Sequence, residues 1–257
     1  MEAWEKAVEL FLVEWIQRDE FAGALVCGSF VTGDPTSHSD IDLHIVLSDS
    51  VDWRERGNRY VDRFLIEYFA NSPRQIRRYF ADDFANFSTS SMVQFITGKI
   101  ICDPQGILSV LKEEAMTWRA KRYLPLASSS VEMRKYHLWD TFDNLCDCYE
   151  HQQPDFDFVY HQSLLLLFQG YCAILNVEQI PFGHISRYLS DPAYLHKYLK
   201  APFPDPDFSC IFLEAMTCQD SVGRMRRYDS LLNHVFQKSG GFQVDGWRLR
   251  TPAEEQP

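Results

Sequence analysis

Two aspartates, Asp40 and Asp42, stand two positions apart and follow a Gly28-Ser29 pair. In a β-strand, side chains two positions apart share a face, so the two carboxylates would lie together. Paired carboxylates suit Mg²⁺, which keeps its other positions for water and substrate phosphates. A glycine lets the backbone turn tightly, and the N–H groups after it can point at a phosphate. The spacing therefore predicts a phosphate-binding turn beside a metal site.

The surrounding residues predict the strands that would position these side chains. An apolar run at 21–27 precedes the Gly-Ser pair, and apolar residues alternate with the aspartates from residue 41 onward. We therefore expect strands at 21–27 and 41–47, with a short helix near residues 30–32. The alternative is a hairpin with a solvated acidic loop, which would not require the Ile-Asp-Leu alternation. Helical spacing over 2–18 predicts an amphipathic helix before the first strand.

The pattern of Gly28-Ser29, a second glycine at Gly33 and the run Ser-Asp-Ile-Asp-Leu at 39–43 resembles the signature of the nucleotidyltransferase superfamily. DNA polymerase β and the aminoglycoside nucleotidyltransferases belong to this superfamily. The resemblance implies two Mg²⁺ ions held by Asp40 and Asp42, and a nucleoside triphosphate, expected to be ATP. It also implies that three residues contact the nucleotide through the turn, namely Gly28, Ser29 and Ser39. For Ser39 we expect a turn-orienting or phosphate-binding hydroxyl and not a nucleophile.

The superfamily also uses a third carboxylate on a later strand. Residues 60–70 are rich in β-branched and aromatic side chains, which predicts a strand. Asp62 and Glu67 would point to opposite faces of one continuous strand, so only one of them can join the aspartates. Glu67 stands among apolar residues, where an ionised carboxylate needs a counter-charge, and is the predicted third metal ligand. The alternative is a salt bridge from Glu67 to one of the arginines in residues 72–79.

Other candidate metal ligands carry less weight. Cys146 and Cys148 have no second cysteine pair to complete a zinc site, so zinc is not expected. His44 would share the face of Asp42, but a half-buried imidazole with satisfied partners is the expectation there.

Two domains and an α+β fold class are predicted. Residues 1–124 would form a nucleotidyltransferase catalytic domain, a small mixed sheet flanked by helices that begin near residue 73 and at 107–119. A proline and three serines within 124–130 predict a linker. Residues 125–257 would form a helical acceptor-binding bundle, with helices at 131–151, 160–176, 185–200 and 211–237.

The second domain holds two candidate site residues. Asp140, Asp143 and Asp147 fall on one stripe of the helix predicted at 131–151. The stripe either faces solvent or faces the acceptor, and in the second case Asp143 is the candidate base for the acceptor hydroxyl. Related enzymes often present a lysine to the triphosphate after the long apolar helix. This chain has no lysine at that place, and Arg187 is the candidate replacement.

Composition narrows the class of partner. The chain has 257 residues, 46% of them hydrophobic, and a net charge of −11. Nucleic-acid polymerases hold a polyanion with a basic surface, so no nucleic acid is expected and a small cationic acceptor is favoured.

No apolar run is long enough for a membrane span, and the N-terminal residues lack the basic start of a secretory signal. Seven cysteines without a C-x-x-C pair predict reduced thiols and a cytoplasmic location, while the oligomeric state stays open.

These patterns together predict a Mg²⁺-dependent transferase. It would move a nucleoside monophosphate from a nucleoside triphosphate to a hydroxyl of a small, aminoglycoside-like acceptor, as in antibiotic-modifying enzymes, and release pyrophosphate. One alternative is an enzyme that attaches AMP to a protein hydroxyl. Another is an antitoxin-like protein that binds a nucleotide or partner without small-molecule turnover.

Overall fold

The structure, a computed structural model, describes residues 2–33 and 35–251. The chain divides between Arg122 and Tyr123 into two units. The first contains a five-stranded sheet with helices, and the second is helical. The predicted α+β class is thus confirmed.

The sheet of the first unit is mixed, with the strand order β3-β4-β2-β1-β5. Strands β2 and β4 pair in parallel, and the other three neighbouring pairs are antiparallel. The strands, in chain order, are β1 (Phe21–Cys27), β2 (Ile41–Leu47), β3 (Glu55–Val61), β4 (Phe64–Asn71) and β5 (Lys99–Cys102). This order places β2 at the centre of the sheet, between β1 and β4.

The strands predicted at 21–27 and 41–47 are confirmed, whereas the continuous strand predicted around residues 60–70 is wrong. The chain there makes a hairpin of β3 and β4, and Asp62 lies in its turn with a φ of 52°. Asp62 therefore does not lie on the opposite face of the strand that holds Glu67. The prediction missed β3 because most of its residues are polar and exposed, as is common at a sheet edge.

Helices cover both faces of this sheet. Helix α1 (Ala3–Ile16) packs Phe11, Leu12 and Trp15 against apolar residues of β1, β2 and β4. Helices α3 (Pro73–Ala85), α4 (Ser90–Thr97) and α5 (Ile107–Arg119) pack on the other face, against β1 and β2. Each fully buried Leu or Phe side chain contributes about 1.5–3 kcal/mol to folding. The short α2 (Ser29–Thr32) connects β1 to the segment before β2.

The second unit consists of helices around an aromatic core. They are α6 (Ser128–Glu150), α7 (Phe156–Ile174), a 3₁₀ turn (Phe182–His184), α8 (Ile185–Ser190), α9 (Pro192–Lys197), α10 (Pro206–Thr217) and α11 (Ser221–Lys238). The helix predicted over 185–200 is broken, because Asp191 caps α9 and proline follows at its first position. The helix predicted over 211–237 is likewise two helices. No helix within the described ranges is long and apolar enough to cross a membrane.

A buried carboxylate connects three helices of the second unit. Asp205 caps α10 by accepting a 3.0 Å hydrogen bond from the Phe208 backbone N–H. Its Oδ2 accepts a 2.6 Å bond from the Tyr171 hydroxyl on α7 and lies 2.8 Å from Nε2 of His234 on α11. Burial alone would raise the pKa of Asp205, but these hydrogen bonds and the His234 charge outweigh it and lower the pKa to about 2.

Candidate functional site

Gly28 directly follows β1 and lies beside Asp42 of β2. The antiparallel register pairs Cys27 with Asp42, and Gly28 has a φ of 75° and a ψ of −157°. A Cβ atom at Gly28 would lie 2.1 Å from Oδ2 of Asp42. Both the backbone conformation and the space therefore require glycine at this position.

The backbone after Gly28 forms a compact turn into α2. The Gly28 carbonyl accepts hydrogen bonds from the N–H groups of Val31 and Thr32, at 3.2 Å and 3.1 Å, and from the Thr32 hydroxyl at 3.0 Å. Ser29 is the first residue of α2, where backbone N–H groups lack partners within the helix. The turn thus holds the predicted phosphate-binding residues Gly28 and Ser29 next to Asp42.

Ser39 stabilises the turn that leads into β2. Its Oγ accepts a 2.8 Å hydrogen bond from the Thr36 N–H, and its own N–H donates to the Thr36 carbonyl at 3.1 Å. The residue therefore fixes the backbone immediately before Asp40. The turn-orienting role is the one visible in the structure, and contact with a nucleotide stays a prediction.

The central strands bring the three predicted carboxylates to one end of the sheet. Asp42 and Glu67 are direct partners in the parallel pairing of β2 with β4, and Asp40 stands two positions before Asp42. Burial, followed by the charges of Asp40 and Glu67, raises the pKa of Asp42 to about 6. Burial of the Cys27 thiol, followed by the charges of Asp42 and Asp40, likewise raises the pKa of that thiol. Asp42 therefore experiences the negative charge of Asp40 and Glu67 in addition to its burial.

Glu67 already has one counter-charge in the structure. Arg56 of β3 donates two hydrogen bonds to its Oε1, at 2.6 Å from Nη2 and 3.2 Å from Nε. The alternative predicted for Glu67 was a salt bridge to an arginine in residues 72–79. Of these, Arg77 pairs with Glu114 at 2.8 Å and Arg78 with Asp82 at 3.6 Å. An ion pair exists, but its arginine comes from the strand that the sequence prediction missed.

The donor set fits a divalent cation by its chemistry. Within residues 2–33 and 35–251, no three His, Cys, Asp or Glu side chains already surround a common metal position. Asp40, Asp42 and Glu67 nevertheless offer only carboxylate oxygens, the ligands that Mg²⁺ prefers. Burial and, after it, the charges of Asp40 and Glu67 raise the pKa of Asp42, and a bound cation would offset both effects.

His44 lies on β2, two positions after Asp42, and is buried. Its ring lies 5.3 Å from that of Phe69 and 4.9 Å from that of Phe95, between centroids. Burial lowers its pKa to about 4, against an opposing hydrogen bond with Gln94. Within the described parts of the chain, its Nε2 has no hydrogen-bond partner. The imidazole is therefore more buried and less satisfied than the sequence predicted, and it stays neutral at physiological pH.

The other two predicted site residues belong to the second unit. Asp143 is exposed on α6, as are Asp140 and Asp147. Arg187 on α8 donates to Asp191 at 3.2 Å from Nη2, and its guanidinium carbon lies 5.2 Å from the centre of the Tyr194 ring. Arg187 thus has partners close to it in sequence. The roles predicted for Asp143 and Arg187 stay predictions.

The part of the chain that holds the three carboxylates is similar to a known protein family. No curated protein matches the chain significantly. Among solved structures, a nucleotidyltransferase-like protein from Exiguobacterium sibiricum 255-15 is similar, with 12% identity, a TM-score of 0.47, and coverage of 92% of this chain and 75% of that chain. Residues 11–94, which run from α1 through α4 and include Gly28, Asp40, Asp42 and Glu67, match the family model of the nucleotidyltransferase domain. This segment of the chain is therefore similar to the nucleotidyltransferase domain.

Proposed function

We propose that this protein is a Mg²⁺-dependent enzyme that transfers a nucleoside monophosphate from a nucleoside triphosphate to a hydroxyl of a small acceptor and releases pyrophosphate. The observation that carries the proposal is the pairing of Asp42 with Glu67 across β2 and β4, beside the Gly28 turn. These residues all lie in the segment that matches the nucleotidyltransferase domain.

Different residues of the first unit would bind the metal ions and the nucleotide phosphates. Asp40, Asp42 and Glu67 would hold two Mg²⁺ ions, which when bound lower the pKa of the acceptor hydroxyl and neutralise charge on the phosphates. Gly28 lets the nucleotide phosphates approach the backbone beside Asp42. The N–H groups at the start of α2 and the hydroxyls of Ser29 and Ser39 would orient those phosphates for in-line attack. ATP is the proposed nucleotide.

The second unit is the proposed acceptor-binding domain, within residues 125–257. The exposed aspartates on α6 and the net charge of −11 favour a cationic acceptor such as an aminoglycoside, and oppose a nucleic acid. Asp143 is the proposed base for the acceptor hydroxyl, and Arg187 the proposed cation for the triphosphate. All seven cysteines are free thiols, which supports a cytoplasmic location.

Pyrophosphate release tests this function directly. The protein is incubated with Mg²⁺ and each nucleoside triphosphate, with and without a panel of aminoglycosides and lincosamides. We expect release that depends on one acceptor class, and loss of that release in Asp42→Asn. Asp62→Asn is the matched control, because Asp62 lies in the exposed β3–β4 turn, where asparagine tolerates the positive φ. An Asp42→Asn protein with wild-type release would show that the carboxylate pair is not the active site.

The Arg56–Glu67 ion pair also favours a second candidate function. A nucleotide-binding or partner-binding protein without turnover has no need to present Glu67 to a metal, and could keep it paired permanently. Nucleotide binding without pyrophosphate release for any small or protein acceptor would support this second function. Release with a protein acceptor alone would instead identify an AMP-transferase that acts on proteins.

A further inference from the structure

Arg56 lies on the edge strand β3 and shares a face of the sheet with Glu67 and Asp42. The antiparallel register pairs Asn58 with Glu67 and Arg56 with Phe69, so the guanidinium reaches Glu67 diagonally across the two strands. Its carbon lies 4.9 Å from the centre of the Phe69 ring, a cation–π contact that helps to orient it. Both hydrogen bonds from Arg56 end on Oε1 of Glu67, and Oε2 lies outside the pair.

The two partners differ in how freely they can move. The Arg56 side chain is 69% exposed, whereas that of Glu67 is 17% exposed. Ion pairs with an exposed partner contribute little to stability, so the guanidinium can leave at small cost. The less exposed carboxylate of Glu67, the direct partner of Asp42 in the register, is costly to leave ionised without a counter-charge. Any cation that takes Glu67 therefore releases an arginine within reach of the same site.

A released guanidinium suits the other ligand of a nucleotidyltransferase. Arginine binds phosphate with a planar pair of N–H donors, and charge-assisted bonds of this type are stronger than neutral ones. Arg187, the candidate for this task, is paired with Asp191 in its own unit. Arg56 instead comes from the unit that holds the carboxylates.

We propose that Arg56 has two partners in succession: Glu67 in the free protein, and the phosphate oxygens of the nucleotide once a divalent cation occupies Glu67. Arg56 thereby weakens binding of the metal alone and strengthens binding of the metal with a triphosphate. The free protein is protected from charge repulsion, and the complete site forms only when both ligands are present. This inference rests on the proposed function, because it assumes that Glu67 is a metal ligand.

Two binding measurements on Arg56→Gln test the proposal without an activity assay. The first is the affinity for Mn²⁺ alone, from the paramagnetic resonance signal of the free ion. We expect about threefold tighter binding, because the competing cation is gone. The second is calorimetric binding of inorganic tripolyphosphate in saturating Mg²⁺, which does not depend on the identity of the base. We expect about tenfold weaker binding, because a charge-assisted contact is lost.

Arg59→Gln is the matched control on the same strand. Arg59 pairs with Ile66 in the register and so points to the other face, where it donates to Glu14 at 2.9 Å. We expect wild-type values in both measurements for this variant. Arg56→Lys, which keeps the charge, should bind Mn²⁺ as the wild type does.

The outcomes separate this proposal from the proposed function. Wild-type Mn²⁺ affinity in Arg56→Gln, or undiminished tripolyphosphate binding, overturns the two-partner role of Arg56. Mn²⁺ binding by neither the wild type nor the variant overturns the metal site itself, and with it the proposed function. Mn²⁺ binding that appears only in Arg56→Gln supports the competition for Glu67 most directly.

Discussion

Replacing Gly28 with alanine should damage the carboxylate site more than it damages the fold. Gly28 has a φ of 75° and a ψ of −157°, a conformation that costs a non-glycine residue about 1–3 kcal/mol. The new Cβ would also stand 2.1 Å from Oδ2 of Asp42. Ordinary van der Waals contact begins near 3.4 Å, so the carboxylate must move by about 1 Å.

A displacement of this size has different consequences for stability and for chemistry. The free energy of unfolding, measured in urea, should fall by about 1–3 kcal/mol. A misplacement of about 1 Å can reduce a catalysed rate about 100-fold, so pyrophosphate release should fall by about that factor. The affinity for Mn²⁺ should fall as well, because Asp42 is a proposed ligand.

Gly33→Ala separates backbone strain from displacement of Asp42. Gly33 also has a positive φ, of 96°, but in the part of the chain that the structure describes, and leaving its two sequence neighbours aside, no atom lies within 4 Å of its would-be Cβ. We expect a similar loss of stability, about 1–2 kcal/mol, with Mn²⁺ affinity unchanged. The reasoning is refuted if Gly33→Ala weakens Mn²⁺ binding as much as Gly28→Ala does, or if Gly28→Ala leaves Mn²⁺ binding intact.

Two further predictions follow from the pKa values of Asp42, which is half-buried, and Asp205, which is buried. The folded-state pKa of Asp42, about 6, lies above the unfolded value of about 3.9, so its ionisation destabilises the metal-free fold as pH rises from about 4 to 6. The full difference corresponds to about 3 kcal/mol, and partial exposure reduces it to about 1–2 kcal/mol. Asp42→Asn should therefore unfold at higher urea concentration than the wild type at pH 7.5 without metal. Equal stability of the two there would contradict the cost of burying the ionised carboxylate beside Asp40 and Glu67. Asp205 behaves in the opposite way, because its folded pKa of about 2 lies below the unfolded value. Its contribution is complete above about pH 4 and is lost as pH falls toward 2. Asp205→Ala leaves the Tyr171 hydroxyl and the Phe208 N–H without their acceptor and should cost about 2–4 kcal/mol at pH 7. A loss below about 0.5 kcal/mol in urea unfolding would show that the buried bonds contribute little.

The central strands could be predicted from the sequence because their local pattern is strong. Strand β2 alternates carboxylate or imidazole side chains with Ile41, Leu43 and Ile45, and it matches the prediction residue for residue. The partner of Glu67 could not be predicted in the same way. It depends on the long-range register of β3 with β4, and β3 has little local signal because it is polar and exposed.

The second unit shows the same division between local and long-range information. The prediction of one helix over 185–200 missed the break between α8 and α9, although Asp191 followed by proline is a local helix-start signal. The link from Asp205 to Tyr171 and His234 has no such signal, because three helices distant in sequence must pack before those atoms meet. Local sequence signals thus predict where helices and strands begin and end. Contacts between side chains on different elements can be known only from the folded structure.

The parallel pairing of β2 with β4 determines when the carboxylate site forms during folding. Asp40 and Asp42 are brought into place when β1 pairs with β2, the next strand along the chain. Glu67 joins them only after β3 and β4 have formed their hairpin and β4 has paired with β2. Pairings between distant segments form more slowly than local ones. A folding intermediate in which β4 has not yet paired with β2 therefore has only Asp40 and Asp42 of the three carboxylates in place. Tight binding of a divalent cation during refolding would therefore report completion of the central sheet, not formation of its first hairpin.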